Sequence, residues 1–145
     1  MSSGISRSPG WFPVAVQALV VIAETDRPCP SSAMAQDLKA HAVFVRRVLA
    51  HLVRANIVQA REGRDGGYRL ARPADRITLA EVYQAVTMAD SQEEDTVCSS
   101  GVNARVQTVL DEVAAEAEQR LLELLGQYTL ASVLERVAIS RPVSN

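Results

Sequence analysis

The stretch Glu62-Gly63-Arg64-Asp65-Gly66-Gly67-Tyr68-Arg69-Leu70, followed by Ile77-Thr78-Leu79-Ala80-Glu81-Val82, decides the fold of this chain. Two short β-prone runs, residues 57–61 and 68–70, enclose three glycines and an aspartate. Because glycine accepts positive φ without steric cost, Asp65-Gly66-Gly67 predicts the tip of a β-hairpin. The arginines that surround the predicted tip are Arg61, Arg64, Arg69 and Arg72. An arginine-rich amphipathic segment comes directly before this hairpin, and a helix followed by a basic hairpin predicts a winged helix-turn-helix that meets DNA.

Charge is unevenly distributed along the 145 residues, although the formal net charge is only −2. Residues 39–76 hold nine Lys or Arg against three acids, a balance of about +6. Residues 90–125 hold nine acids against two arginines, a balance of about −7. This division predicts one lobe that binds a polyanion and a second lobe with another task. The length fits one domain, or one domain with an oligomerising helix.

Hydrophobic periodicity predicts three helices before the hairpin. The first runs from about Pro13 to Thr25, since proline suits a first helical turn. Ser31 or Ser32 can cap a short second helix that ends near Leu38. The third helix spans residues 42–55, and its predicted buried stripe is Val45, Val48, Leu49 and Leu52.

After the hairpin, Thr78-Leu79-Ala80-Glu81 has the pattern of a capping box, which predicts a helix that ends near Val86. Residues 88–100 are expected to form an acidic loop, followed by a long helix over 101–127 and a weaker one over 129–138. The apolar stripe predicted on the long helix consists of Val106, Leu110, Val113, Ala117, Leu121 and Leu124. The alternative is that part of this stripe packs on the chain's own first helix, so that only some of these residues pair two subunits. The expected fold is mainly α with a small β-hairpin wing. It divides into a DNA-binding domain at 11–87, the loop at 88–100, and a dimerisation helix with a C-terminal helix at 101–139.

Several classes of protein are disfavoured by residue content. The histidines are His41 and His51 alone, with no Ser-His-acid arrangement, phosphate loop or dinucleotide fingerprint, so no enzyme is expected. The two cysteines, Cys29 and Cys98, are too few for a disulfide framework and form no metal-binding pair, which fits a reducing cytoplasm. The apolar run 11–23 is too short to span a bilayer, so neither a membrane partner nor a metal is expected.

The candidate DNA contacts follow from the helix-turn-helix interpretation. The reading helix offers its N-terminal residues to the major groove, where arginine bonds guanine or a phosphate. The alternative is that these arginines form only a solvated face. The candidates on the two helices and their turn are Ser31, Ser32, Lys39, His41, Val43, Phe44, Arg46 and Arg47, and those on the hairpin are Arg61, Arg64, Gly66, Gly67 and Arg69.

Three runs of sequence together resemble the Rrf2 family of bacterial transcription regulators, relatives of IscR, NsrR and CymR. They are Arg46-Arg47-Val48-Leu49, then Gly63 with Gly66-Gly67-Tyr68-Arg69-Leu70-Ala71-Arg72-Pro73, and Ile77-Thr78-Leu79 with Val82 and Ala85-Val86. The resemblance covers about Phe12 to Leu134. It implies a sequence-specific regulator, expected to be a repressor, in which the long helix after Gly101 pairs two subunits on a palindromic operator. This chain departs from the family at Glu62, where members often carry arginine, and at Lys39, which replaces the usual glycine of the turn.

The region before the long helix departs from the iron–sulfur members of this family, which place three cysteines there. This chain has Cys98 alone in that region, so no cluster and no other cofactor is expected. The segment 97–103 with Gln107 resembles the cluster-less branch, as does Ala42-Val43-Phe44-Val45-Arg46-Arg47, which is similar to a Pro-Val-Val-Val-Arg-Arg pattern. Cys98 is either a redox sensor or an inert residue. A small-molecule sensor of unknown inducer and a winged-helix scaffold that binds protein instead of DNA are the alternative interpretations.

Overall fold

The computed structural model describes residues 10–87 and 101–140. The acidic loop and Cys98 lie outside these residues. The elements, in chain order, are α1 (Trp11–Ala23), α2 (Ser31–Leu38), α3 (Ala42–Arg54), β1 (Val58–Arg61), β2 (Gly67–Leu70), a 3-10 helix (Ala74–Arg76), α4 (Leu79–Thr87), α5 (Val102–Leu125) and α6 (Leu130–Ser140). The prediction of a mainly helical fold with a small antiparallel hairpin is confirmed.

The turn between α2 and α3 forms without the usual glycine. Lys39 adopts the left-handed conformation, with φ of 52°. The Lys39 N–H donates to the Gln36 carbonyl at 3.2 Å and the Ala40 N–H to the Ala35 carbonyl at 3.0 Å, which is a Schellman arrangement. Two hydrogen bonds therefore hold a residue with a Cβ in a conformation that glycine adopts more easily.

The predicted serine cap of α2 is wrong. Pro30 occupies the N-cap position in an extended conformation, and no side chain bonds the end of the helix. Ser31 is already the first helical residue, so its hydroxyl is displaced from the capping position. The Pro30 carbonyl accepts the Met34 N–H at 3.2 Å and closes the first turn.

One apolar core joins the helices before the hairpin to those after it. The stripe predicted on α3 is confirmed, since Val45, Val48, Leu49 and Leu52 are all fully buried. The other large, fully buried side chains include Leu19, Met34, Ile57, Ile77, Val82 and Leu130. Leu130 belongs to α6, so the C-terminal helix returns to the core made by the first four helices.

The hairpin pairs β1 with β2 in antiparallel register, with Val58 opposite Leu70 and Arg61 opposite Gly67. Of the predicted tip, Asp65-Gly66-Gly67, only Asp65 lies at the centre of the turn. The Gly66 N–H donates to the Gly63 carbonyl at 3.0 Å, so Arg64 and Asp65 are the central residues of the turn. The glycines at 66 and 67 lie at its base, where other parts of the chain approach closely.

The beginnings of α4 and α6 are tied together. The predicted capping box is confirmed: the Thr78 N–H donates to Glu81 Oε2 at 3.0 Å, and the Glu81 N–H donates to Thr78 Oγ1 at 3.2 Å. Thr129 and Ser132 make the equivalent exchange at the start of α6. A bridge between Thr78 and Thr129 joins the two boxes.

The long helix α5 has no fully buried residue over its 24 residues. It packs against α4 near its C-terminal end, where Gly126 approaches Ala80. Burial, with the charge of Glu118 added, raises the pKa of Tyr83 on α4. No helix in the described ranges combines the length and apolar character needed to cross a bilayer.

Candidate nucleic-acid interface

The N-terminal half of α3 presents a basic and partly apolar face to solvent. His41 precedes the helix, and His41, Arg46 and Arg47 are all exposed. Val43 is 61% exposed, which suits contact with a thymine methyl group. Within residues 10–87 and 101–140, neither arginine forms an ion pair. No carboxylate of the described residues therefore neutralises either guanidinium group.

Phe44 is more engaged with the protein than its neighbours on α3. Its ring meets Trp11 edge to face, with centroids 4.9 Å apart. Trp11 also contacts His51, at 5.6 Å between centroids. This cluster fixes the start of α1 against α3, and half-buried Phe44 leaves only part of its ring for a base.

The hairpin carries its arginines on the outside and at the tip. Gln59 pairs with Arg69, and Arg61 pairs with Gly67, so Arg61 and Arg69 share one face of the two strands. The opposite face, with Val58 and Leu70, packs towards the core. Arg64 occupies the turn itself. The three arginines are exposed and make no ion pair within the described ranges.

Arg72 does not belong to this set, which corrects the prediction that four arginines surround the tip. Its guanidinium donates to the carbonyls of Asn56 and Arg76 at 3.3 and 3.1 Å. It also pairs with Glu81 Oε1 at 3.0 Å. Arg72 thus joins the end of α3, the base of the hairpin and the start of α4.

Gly66 and Gly67, the two glycines predicted as DNA contacts, lie where the neighbouring backbone leaves no room for a side chain. A Cβ on Gly67, whose φ is +153°, would lie 2.6 Å from the Cys29 carbonyl carbon. A Cβ on Gly66 would lie 2.4 Å from the Arg61 carbonyl oxygen. The approach at Gly67 is needed because Cys29 and Tyr68 exchange backbone hydrogen bonds of 3.0 and 2.9 Å. The loop between α1 and α2 is therefore bound to the outer edge of the wing.

The remaining candidates on the helix-turn-helix lie at its surface. Ser32 and Lys39 are exposed, and Ser31 is half-buried. They occupy the first turn of α2 and the turn that leads into α3. The fold therefore keeps these polar groups at the surface of the same two-helix unit as Arg46 and Arg47.

One arginine near the wing was missed by sequence analysis. Arg27, in the loop between α1 and α2, is exposed and lines a cleft of about 440 Å³ together with Arg64 at the tip. Charge counting could have included Arg27, but it lies far from the hairpin in sequence. Its nearness to the tip depends on the pairing of Cys29 with Tyr68.

The predicted dimerisation stripe is exposed in the single chain. Val106, Leu110, Val113 and Leu124 are each at least half exposed, and Leu121 is 37% exposed. Ala117 is exposed as well, and the half-buried leucines of α5 are Leu122 and Leu125. The alternative that part of the stripe packs on α1 finds no support, since the main contact of α5 is with α4.

Comparison with known proteins identifies the chain. A family model described as "Rrf2: Iron-dependent Transcriptional regulator" matches residues 11–136. The chain belongs to the Rrf2 family of transcription regulators. The proposed resemblance is confirmed, and a helix-turn-helix fold of the DNA-binding kind is the common feature of this Rrf2 protein and its relatives.

Relatives of this Rrf2 chain carry names of the same kind. It is 31% identical over 108 residues to "Putative HTH-type transcriptional regulator YwgB" of Bacillus subtilis, spanning 74% of this chain and 69% of that one. It is 28% identical over 95 residues to "Putative HTH-type transcriptional regulator NMA1593" of Neisseria meningitidis, spanning 64% of this chain but 62% of that protein. The solved structure of IscR from T. potens superimposes with a TM-score of 0.69 at 19% identity, covering 96% and 93% of the two chains.

The donor atoms of this Rrf2 chain do not fit a cluster held by four thiolates. The sequence contains two cysteines, and Cys29 is buried beneath the wing. Burial, with the charge of Asp37 added, raises the pKa of the Cys29 thiol, which disfavours the thiolate that a metal requires. Within residues 10–87 and 101–140 no three His, Cys, Asp or Glu side chains come together as a metal site would require. Cys98, the candidate redox sensor, lies outside those ranges.

Proposed function

We propose that the chain is a sequence-specific repressor that binds a palindromic operator as a homodimer and holds no resident iron–sulfur cluster. The observation that carries this proposal is the unpaired basic face formed by α3 and the hairpin. Arg46, Arg47 and Arg64 lie on it without a carboxylate partner in the described ranges. The five acids between residues 101 and 125 all lie on α5, which packs mainly against α4. This segregation suits one lobe that meets DNA and another that meets a second subunit.

Within this proposal, the arginines of α3 read bases and the arginine at the wing tip reads groove shape. Arg46 and Arg47 lie near the N-terminal end of α3, the part of a recognition helix that enters the major groove. A bidentate contact from arginine distinguishes guanine from other bases. Arg64, on the turn, suits a narrow A·T-rich minor groove, where the negative potential is enhanced. Lys39, Arg61 and Arg69 then bind phosphates of the DNA backbone.

Homodimer formation accounts for the apolar face of α5. A stripe of half-exposed valine and leucine along several turns is costly to leave in water. A second copy of the same helix would cover it and place two DNA-binding domains on one duplex. Such an arrangement matches the two-fold symmetry of a palindromic operator.

The experiment begins with selection of duplexes from a random DNA library by the wild-type chain. Arg46→Ala and Arg47→Ala should relax the preference for particular bases, by about 1–3 kcal/mol for each guanine that the arginine no longer bonds. Arg64→Ala should weaken binding chiefly where the flanks are A·T-rich. Arg105→Ala, which removes the same charge from exposed α5, is the control and should leave the selected sequence unchanged.

Two outcomes would contradict the proposal. Equal, sequence-blind losses from all three variants would mean that the arginines touch phosphate alone and read no bases. If the wild type enriches no duplex, the basic face belongs to a protein-binding scaffold instead. Repression is tested separately, with a reporter whose promoter overlaps the selected site and whose transcription should fall when the chain is expressed.

A further inference from the structure

The outer edge of the wing carries a basic cleft between the hairpin tip and the loop that joins α1 to α2. It has a volume of about 440 Å³. Its walls are Arg27, Pro28 and Pro30 from the loop between α1 and α2, and Arg64, Asp65 and Gly66 from the tip. A smaller cleft of about 210 Å³ continues along the loop and adds Arg69 of β2 together with Asp26. Arg27 and Pro28 line both clefts, so one arginine of the loop stands between two arginines of the hairpin.

The loop is held in this position by the fold. Cys29 pairs with Tyr68 through two backbone hydrogen bonds, so the loop is joined to the free edge of β2 by one isolated bridge. On the other edge of the hairpin, β1 packs against α3. The hairpin therefore has an inner edge beside the recognition helix and an outer edge beside Arg27.

A wing inserted in the minor groove meets two phosphate backbones. The groove is only about 6 Å wide, so a hairpin tip within it has one strand on each side. The inner edge would face the strand nearer α3, and the outer edge would face the other strand. Arg27 is two residues from Cys29 in sequence, and its side chain is exposed with no ion pair in the described ranges. Asp65 lines the larger cleft and Asp26 the smaller one, so the three arginines of the two clefts exceed their two acids.

We propose that Arg27 forms a phosphate clamp beside the minor-groove residue Arg64: the loop between α1 and α2 is a separate DNA-contacting element that binds the backbone strand at the outer edge of the wing. This inference rests on the proposed DNA-binding function and deepens it. The clamp holds the wing at one depth in the groove and reads no base directly. Its ligand is a phosphodiester oxygen, which arginine bonds through its fork of N–H groups.

The test uses a duplex selected by the wild-type chain, with single phosphates neutralised by ethylation. For the wild type, ethylation of one or two phosphates beside the wing on the outer strand should block binding. Arg27→Ala should bind more weakly and show no interference at those phosphates. Its log affinity should also fall less steeply with log salt, by about 0.9 for each phosphate that a subunit no longer neutralises. Arg27→Lys should restore most of the slope, since the charge is kept.

Arg76→Ala is the matched control, because it removes one exposed positive charge at the base of the hairpin, in the 3-10 helix. It should leave the interference pattern intact. If Arg27→Ala gives the same interference pattern and salt slope as Arg76→Ala, the clamp does not exist, although the proposed function stands. A wild type that enriches no duplex at all would overturn the proposed function and this inference with it.

Discussion

The glycines of the wing differ in whether the fold leaves room for a side chain at their position. Gly63 and Gly67 both have positive φ, at 115° and 153°. Around Gly63 a Cβ would meet nothing within 4 Å, whereas at Gly67 it would meet the backbone of Cys29 at 2.6 to 2.8 Å. Gly67 is therefore required by a neighbouring segment, in addition to its own conformation.

This difference gives a paired prediction. Gly63→Ala should cost about 1 kcal/mol of unfolding free energy, the cost of positive φ for a residue with a Cβ. Gly67→Ala should cost at least about 2 kcal/mol, because the Cys29 backbone must also move and its hydrogen bonds with Tyr68 weaken. Urea unfolding of both variants measures the difference. Equal losses of unfolding free energy would show that the close approach to Cys29 does not add to the requirement for glycine at position 67.

At the scale of single residues, the sequence predicted the hairpin from its residue types but did not predict the structural role of each residue. Three glycines and an aspartate correctly indicated a hairpin, but the tip lies at Arg64 and Asp65. Whether a given position needs glycine depends on carbonyl groups elsewhere in the fold, which no local pattern contains. Arg72 was wrongly assigned to the tip because its partner, Glu81, lies in the next helix, outside the hairpin sequence.

The start of α4 was predicted well because the capping box that begins it is local. Thr78 and Glu81 are three residues apart, and each bonds the backbone of the other. The start of α2 was not, because a proline took the N-cap position before two serines that could have capped it. The docking of α6 escaped prediction as well. Periodicity identifies the apolar face of a helix but does not name the surface that covers it.

The capping box at α4 predicts a dependence of stability on pH. Burial alone would raise the pKa of Glu81, but hydrogen bonds from Thr78 and the bond and charge of Arg72 outweigh it, so the pKa lies below the ordinary 4.5. A carboxyl whose pKa is lower in the folded chain stabilises the fold above the unfolded pKa. That stability is lost as the pH falls through the folded value.

Glu81→Gln should therefore lower stability at neutral pH and lessen the decline of stability below about pH 4.5. Thermal unfolding between pH 3 and 7, roughly the range over which carboxyl groups titrate, measures both effects. Asp75→Asn is the control, because this exposed carboxylate lies in the same part of the chain and has no ion pair in the described ranges. A parallel decline for Glu81→Gln and the wild type would contradict the role given to Glu81.

For the molecule as a whole, the uneven distribution of charge and of apolar surface was readable from the sequence, but the partner of each surface was not. The basic segment 39–76 folds into α3 and the wing, where most of its arginines are exposed, as its charge count indicated. The stripe on α5 follows the helical period, yet the period alone could not exclude packing on α1. The structure leaves that stripe uncovered and assigns the inner side of α5 to α4.

The last prediction concerns this uncovered stripe. We expect the wild type to sediment at twice the 15.7 kDa mass of one chain at micromolar concentration. Val113, 58% exposed near the middle of α5, should be buried at the seam between two subunits. Val113→Glu should give a monomer, because a carboxylate taken out of water without a partner opposes association.

The matched control is Gln119→Glu, which adds the same charge to the same helix. At 3.6 residues per turn, Gln119 lies about 120° around α5 from Val113, off the stripe, and should leave the dimer intact. Far-UV circular dichroism should report full helix content for both variants, since neither side chain belongs to the core. A monomeric wild type would mean that something other than a second copy covers α5. If both variants dissociate alike, charge on α5 would be responsible, and the apolar stripe would not be the seam.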